Sequence, residues 1–303
     1  MKLFAPSYYK NFKCIADKCR HSCCVDWEIS VDGRSLERYR SSDISLKGEI
    51  LSEISETDDG SIFKMRSDGR CPFLNSDGLC RIIMECGEEY LCDICALHPR
   101  FYNYFSSHAE VGLGMVCEEA ARIILEGDGE LLLECIGEAD AAESVSPDMC
   151  LSERKEIISI LETDLPISEK IKLIEQRYNV STDVHSFDEW KQLFSELEIL
   201  DEKWSSLVKK SIEGELTIAE ERPFERFISY LTYRHIPRSE SYDNLRAVVG
   251  FILLSYRMVR AIYCSGEERT PESLTETVRL YSSEIEYCEE NVSSLIFEFE
   301  SVL

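Results

Sequence analysis

The sequence predicts a mainly α protein: an irregular, cysteine-rich metal-binding N-terminal region over residues 1–135, followed by an all-helical C-terminal part over 150–303. Three observations predict it. Fourteen cysteines are spread unevenly, with nine between Cys14 and Cys95. The first 125 residues carry little regular periodicity. Beyond 150, one apolar stripe follows another at i, i+3, i+4 spacing.

Taken in order, Trp27 to Asp32 alternates apolar and polar residues like a short strand closed by Gly33. Residues 35–56 read as one helix with Leu36, Tyr39, Ile50, Leu51 and Ile54 on its apolar face. Asp58-Asp59-Gly60 marks a turn before a second short strand at 62–65. Cys71 to Cys80 reads as a tight loop with a cysteine at each end. Residues 88–97 read as a helix ended by His98-Pro99, because the residue before proline disfavours the helical region. A further helix at 118–125 stops at Gly127. The Ala/Glu/Ser-rich run 137–144 marks the boundary between the halves. Helices are then expected at 154–161, 169–178, 187–197, 203–212, 223–233, 243–263 and 271–303, with Pro166 and Pro223 near helix starts. Tyr281, Ile285, Cys288, Val292, Leu295 and Phe299 form one stripe on the last helix. Its outer face reads as acidic, since 280–303 holds six glutamates and no Lys or Arg.

Lys and Arg number 33 against 58 Asp and Glu, a net charge of −25. Nucleic acid is bound largely by neutralising its phosphates, so this balance argues against a nucleic-acid partner or an anionic membrane surface. The field suits a basic protein segment or a lysine-bearing substrate, and equally serves solubility. Met1 to Pro6 lacks the apolar run of a signal peptide. The apolar run 248–254 falls short of the roughly 20 residues a bilayer span needs and reads as a buried helix. A cytoplasmic location is expected, and there clustered thiols point to metal rather than to disulfides.

The cysteines fall into three groups: Cys14-x4-Cys19-x3-Cys23-Cys24, Cys71-x8-Cys80, and Cys92-x2-Cys95 followed distantly by Cys117. Short spacings let a loop curl until two thiolates face one ion, and a distant loop closes the site. Metal–ligand bonds would also supply the folding free energy that a stretch poor in regular structure otherwise lacks. Adjacent Cys23 and Cys24 do not easily face one ion together; one ligates while the other packs, or each serves a different site. Cys86, Cys135, Cys150, Cys264 and Cys288 read as small buried apolar residues. All-thiolate sites suit zinc and iron–sulfur clusters alike, and His21 or His98 could complete a zinc site, so spacing leaves the metal open.

At these residues the sequence resembles the flagellin lysine-N-methylase family. The likeness is carried by Tyr8-Tyr9-Lys10-Asn11-Phe12-Lys13-Cys14, by Cys19-Arg20-His21-Ser22-Cys23-Cys24-Val25-Asp26-Trp27-Glu28-Ile29, and by Cys71-Pro72-Phe73-Leu74 with Gly78-Leu79-Cys80-Arg81-Ile82. Tyr90-Leu91-Cys92-Asp93-Ile94-Cys95-Ala96-Leu97-His98-Pro99-Arg100 and Cys117-Glu118-Glu119-Ala120-Ala121-Arg122 complete it. The resemblance implies a [4Fe–4S] protein that uses S-adenosylmethionine to methylate lysine ε-amino groups of flagellin or a similar protein. It implies metal-site residues Cys14, Cys19, Cys23, Cys24, Cys71, Cys80, Cys95 and Cys117, with Cys86 and Cys92 outside the shared pattern. Eight thiols exceed what one cluster needs, which leaves the four ligands open.

Methylating lysine requires a deprotonated amine held in line with the sulfonium methyl. Candidates beside the cysteines are Tyr8, Tyr9, Asp26, Glu28, Asp93, His98 and Glu118. Arg100 could pair with a cofactor carboxylate or a cluster sulfide. No G-x-G-x-x-G follows a strand, Gly112-Leu113-Gly114 is too short to count, and the C-x3-C-x2-C spacing of radical enzymes is absent. The sequence therefore supports a second class beside the enzyme, a non-catalytic Zn- or Fe–S-binding module that mediates protein interaction or metal sensing.

Overall fold

The computed structural model describes residues 1–303 apart from 59, 128–130 and 143–144. Its strands are β1 (Lys2–Pro6), β2 (Ser30–Val31), β3 (Ile54–Thr57), β4 (Gly60–Phe63), β5 (Arg100–Tyr104), β6 (Ala109–Leu113) and β7 (Leu133–Glu138). The first helices are α1 (Gly33–Ser41), α2 (Lys47–Ser52), α3 (Arg81–Cys86), α4 (Asp93–Leu97) and α5 (Glu118–Glu126). Then follow α6 (Met149–Leu161), α7 (Ile167–Tyr178), α8 (Phe187–Glu196), α9 (Glu202–Lys210), α10 (Ile218–His235), α11 (Tyr242–Cys264), α12 (Pro271–Tyr281) and α13 (Glu289–Glu300). Helix dominates, as expected, and beyond β7 the described residues form no further strand. The expected turn at 58–60 and boundary run 137–144 fall partly on 59, 143 and 144, outside the described residues.

By contacts the chain divides into residues 13–100 and a unit made of 1–12 with 101–303, rather than at 136–150. In the smaller unit, β2, β4 and β3 form an antiparallel sheet in which Ser30 faces Ile62 and Ile54 faces Phe63. The single helix expected at 35–56 is instead α1, α2 and β3. Ser42 takes an extended conformation while its N–H closes onto the Arg38 carbonyl, and this turns the chain. Residues 88–97 likewise split into a 3-10 turn, Glu88–Tyr90, and α4, which stops before His98-Pro99 as the sequence leads one to expect. The core comprises Ile29, Tyr39, Ile50, Phe63, Phe73 and Ile82 with a few other side chains, and Cys71 and Cys92 are buried among them.

The larger unit carries a four-stranded sheet of order β5-β6-β1-β7, with β1 parallel to β6 and antiparallel to β7. All five residues of β6 are buried, as in a strand covered on both faces. One of them is Glu110. Arg154 of α6 grips both its carboxylate oxygens at 2.6 and 2.7 Å and stands over the Tyr233 ring. A charge buried there requires such a partner. The central helix α11 is long and apolar enough to cross a membrane, but most of it is buried inside this fold against α10, α12 and α13.

Two helix expectations need correction. α10 begins at Ile218, where Thr217 and Glu220 form a capping box, so Pro223 lies inside the helix and not at its start. Its missing N–H costs the bond that would reach Ala219. The helix expected over 271–303 is broken by a π-helical turn, Ser282–Glu286, between α12 and α13. Glu284 points inward and accepts the Leu200 and Asp201 N–H groups at 2.9 Å each. Glu286 also points inward, onto His235 and Tyr230 at 2.9 and 3.0 Å. Both side chains are therefore core polar groups and no part of an acidic outer face.

Gly250 of α11 lies against the Phe299 ring of α13, where any Cβ would overlap it. Gly250→Ala is expected to destabilise the larger unit by about 1–3 kcal/mol through overpacking. A thermal melt unchanged from the parent would contradict that packing.

Candidate functional site

Three segments of the smaller unit bring thiols toward one place. The Cys24 carbonyl accepts the Cys71 N–H at 2.8 Å, and Asp26 N–H bonds the Gly69 carbonyl. These bonds hold the first cysteine group beside the start of the second. The Cys71–Cys80 loop closes on itself, because Asn75 Oδ1 accepts the Asp77 and Leu79 N–H groups and Gly78 takes a left-handed conformation (φ +77°). A bridge between Leu74 and Cys80 then completes the loop. The third segment is pinned by Asp32, whose Oδ1 caps α1 while Oδ2 accepts the Asp93 N–H at 2.9 Å. Arg38 and Tyr39 of α1 donate to the Leu91 and Tyr90 carbonyls, fixing the approach to Cys92.

Cys24, Cys71, Cys80, Cys92 and Cys95 consequently pack in or against one core. Cys71 and Cys92 are buried, and the Cys92 and Cys95 sulfurs are 3.5 Å apart. Burial pushes the Cys71 thiol up to about 12, and the neighbouring Cys24, Cys80 and Cys92 thiolates add to the effect. Burial also raises Cys80. Hydrogen bonding between Cys92 and Cys95 lowers Cys92 and raises Cys95. A hydrogen bond from Cys23 holds Cys24 at about 7 against the opposing effect of burial. Among the described residues, no three His, Cys, Asp or Glu side chains already stand in an arrangement that holds a metal ion.

The other expected site residues lie outside this core, although Cys23 hydrogen-bonds Cys24. Cys14 and Cys23 are exposed; Cys14 Sγ accepts the Ala16 N–H, and Cys19 Sγ donates to the His21 carbonyl. Cys117 precedes α5 in the larger unit, and Glu118 is buried in the first turn of that helix. Tyr8 and Tyr9 sit on the 3-10 turn Ser7–Asn11, also in the larger unit. Asp26 has positive φ (61°) and, with Trp27 and Glu28, lines a shallow hollow. Asp93 is ion-paired with Arg34 at 2.5 Å. His98 packs edge-on against Trp27, and burial, with Arg100 nearby, lowers it to about 4, so its imidazole is neutral at pH 7. Arg100 reaches back to the Ala96 and His98 carbonyls.

Cys92, which its C-x-x-C spacing places with Cys95 and the family resemblance leaves outside the shared pattern, is buried in this core beside Cys95. Cys86 lies 3.8 Å from Ser45 Oγ, at the nest's edge. Of the four later cysteines, Cys150 is fully buried as expected, whereas Cys135 is exposed on β7.

The fold defines a class: a small unit with cysteines in and against its core, joined in one chain to a larger, mainly helical unit. The chain is similar to proteins named lysine-N-methylase from Salmonella choleraesuis and Salmonella typhimurium, 28% identical to each over 136 residues, or 43% of this chain. It spans about a third (34%) of the length of those relatives. It is also 26% identical over 134 residues to a flagellar biosynthetic protein, FliU, from Salmonella muenchen, covering 42% of this chain and 79% of that one. No family model matches the chain, and no solved structure does.

Asp32 supports a pH prediction. Burial raises its carboxyl, but the Asp93 and Ser35 N–H groups outweigh burial and hold it at about 2 against an ordinary 3.8. Its stabilisation is therefore complete above about pH 4 and is lost as pH falls toward 2. Asp32→Ala should cost about 1 kcal/mol at neutral pH by removing the helix cap, and should flatten that acid slope. Denaturant melts of both proteins at a series of pH values would measure it, and parallel slopes would contradict it.

Proposed function

We propose that the chain is part of a protein-lysine N-methyltransferase that carries a [4Fe–4S] cluster in its smaller unit. Its methyl donor is S-adenosylmethionine, and it acts in the cytoplasm on flagellin or a similar lysine-bearing protein. The observation that carries this reading is the placement of Cys24, Cys71, Cys80, Cys92 and Cys95, from three separate segments, in or against one small core, with Cys86 also packed against it. The likeness to lysine-N-methylases supports the transfer chemistry.

The donor set fits the metal group, since thiolates are the ligands of iron–sulfur clusters and of zinc. Four of Cys24, Cys71, Cys80, Cys92 and Cys95 would hold it. A bound cluster supplies bonds that tie the three segments together. In the transfer, the lysine nitrogen forms a bond to the methyl carbon as the carbon–sulfur bond breaks, and the electron pair stays on sulfur. The amine must lose its proton before it attacks. A net charge of −25 draws lysine-rich segments toward the protein.

One distance favours a second reading. The 3.5 Å between the Cys92 and Cys95 sulfurs is close to the ~3.8 Å between two thiolates on one tetrahedral zinc with bonds of about 2.3 Å. Under that reading the unit is a non-catalytic zinc module that mediates protein interaction or metal sensing.

Metal-loaded protein, incubated anaerobically with flagellin and S-adenosylmethionine labelled at the methyl carbon, should place label on flagellin lysines, and Cys95→Ser should abolish it. Loaded protein that transfers no label would contradict the enzyme and favour the module.

A further inference from the structure

Arg222, Glu225, Arg226, Ser229 and Tyr230 recur along α10 at i, i+3, i+4, i+7 and i+8, and so share one face of the helix. That face lines a cavity of about 260 Å³ within the larger unit. Ile123 of α5 and Leu161 of α6 give it an apolar wall, and Tyr8 lines it from the turn after β1. Its volume lies just below the roughly 300 Å³ at which small-molecule sites begin, so it suits a small ligand or one end of a longer one.

The charged groups are positioned by the fold. Glu225 is buried and held by Lys170 and Arg222 at 2.5 and 3.1 Å. Arg226 is anchored by an Nη1–H bond to the Leu125 carbonyl at 2.7 Å. Tyr230 donates to Glu286 at 3.0 Å. The Tyr8 hydroxyl is buried and has no hydrogen-bond partner among the described residues, which calls for an explanation in a native fold. An anionic ligand would meet the lining carboxylates Glu162 and Glu225, and a cationic one would meet Lys10, Arg222 and Arg226, of which Lys10 is paired with Glu134 and Arg222 with Glu225. A zwitterion with an apolar body satisfies both.

We propose that this cavity binds an α-amino acid zwitterion: carboxylate on Arg226, ammonium toward Glu162, and side chain against Ile123 and Leu161. The zwitterion belongs either to a free amino acid or to the amino-acid end of S-adenosylmethionine; the second source rests on the methyltransferase reading, while the first does not.

Calorimetric titration of the full chain with methionine, S-adenosylhomocysteine, adenosine and succinate tests it. Methionine should bind, and adenosine and succinate should not. Arg226→Met, and Ser229→Leu, which fills the cavity without altering charge, should each weaken methionine by at least about tenfold. Circular dichroism and the unliganded melting temperature confirm that both variants fold. Binding of S-adenosylhomocysteine as well supports the methyl donor as the source. Methionine binding without S-adenosylhomocysteine keeps the cavity assignment and removes the donor. Failure of methionine to bind, binding of adenosine or succinate in its place, or undiminished affinity in both folded variants overturns the proposal.

Discussion

Sulfur occupies positions in the core of the smaller unit where a larger domain would place leucine or valine. Cys71 and Cys92 are buried alongside Phe63 and Phe73, and Cys24, Cys80 and Cys95 pack against the same few side chains. A core of this size holds few apolar side chains, and small cores commonly need an added staple. The hydrogen bonds that position the thiols all engage the backbone: the Cys71 N–H with the Cys24 carbonyl, and the Leu79 and Asp93 N–H groups with the side-chain oxygens of Asn75 and Asp32. Each fixes where a chain segment runs, and a centre bonded to the thiols would lock the segments to one another.

The larger unit solves a different problem with buried charge. Glu110 with Arg154, Glu225 with Lys170, and Glu286 with Arg234 and His235 place carboxylates inside a helical core, each against a cation or a histidine. Burial would raise the Glu286 carboxyl, but Arg234 and His235 reverse the effect and keep it below the ordinary range. Removing one member would strand the other, so these pairs act as locks on helix position more than as net stabilisers. The face of α10 that carries Glu225 continues into Tyr230 and its bond to Glu286, so the cavity stands on this scaffold of paired charges.

Helices beyond residue 149 were legible because their apolar residues repeat with the helical period and each helix needs only its own neighbours. The break at Ser282–Glu286 was not, because Tyr281, Ile285, Cys288 and Val292 continue an unbroken stripe across it. Only the tertiary partners of Glu284 and Glu286 reveal that the glutamates turn inward. Strands β1 and β7 escaped for a related reason: Phe4 pairs with Glu110 and Cys135, more than a hundred residues away, and nothing local announces such pairing. In the thiol site, the Cys71–Cys80 loop was readable from its turn residues. Cys92 is readable from its C-x-x-C spacing to Cys95 although the family resemblance leaves it outside the shared pattern, and the fold buries it beside Cys95.

A metal centre held by thiols from three segments is the proposal on which the methyltransferase reading stands. Its most direct test is the iron, acid-labile sulfide and zinc content of protein purified without oxygen, measured with its visible spectrum. Coloured protein is expected, with iron and sulfide in equal amounts and a broad charge-transfer band that bleaches in air. Stoichiometric zinc in colourless protein would contradict the cluster, and protein with neither metal would contradict the metal centre itself.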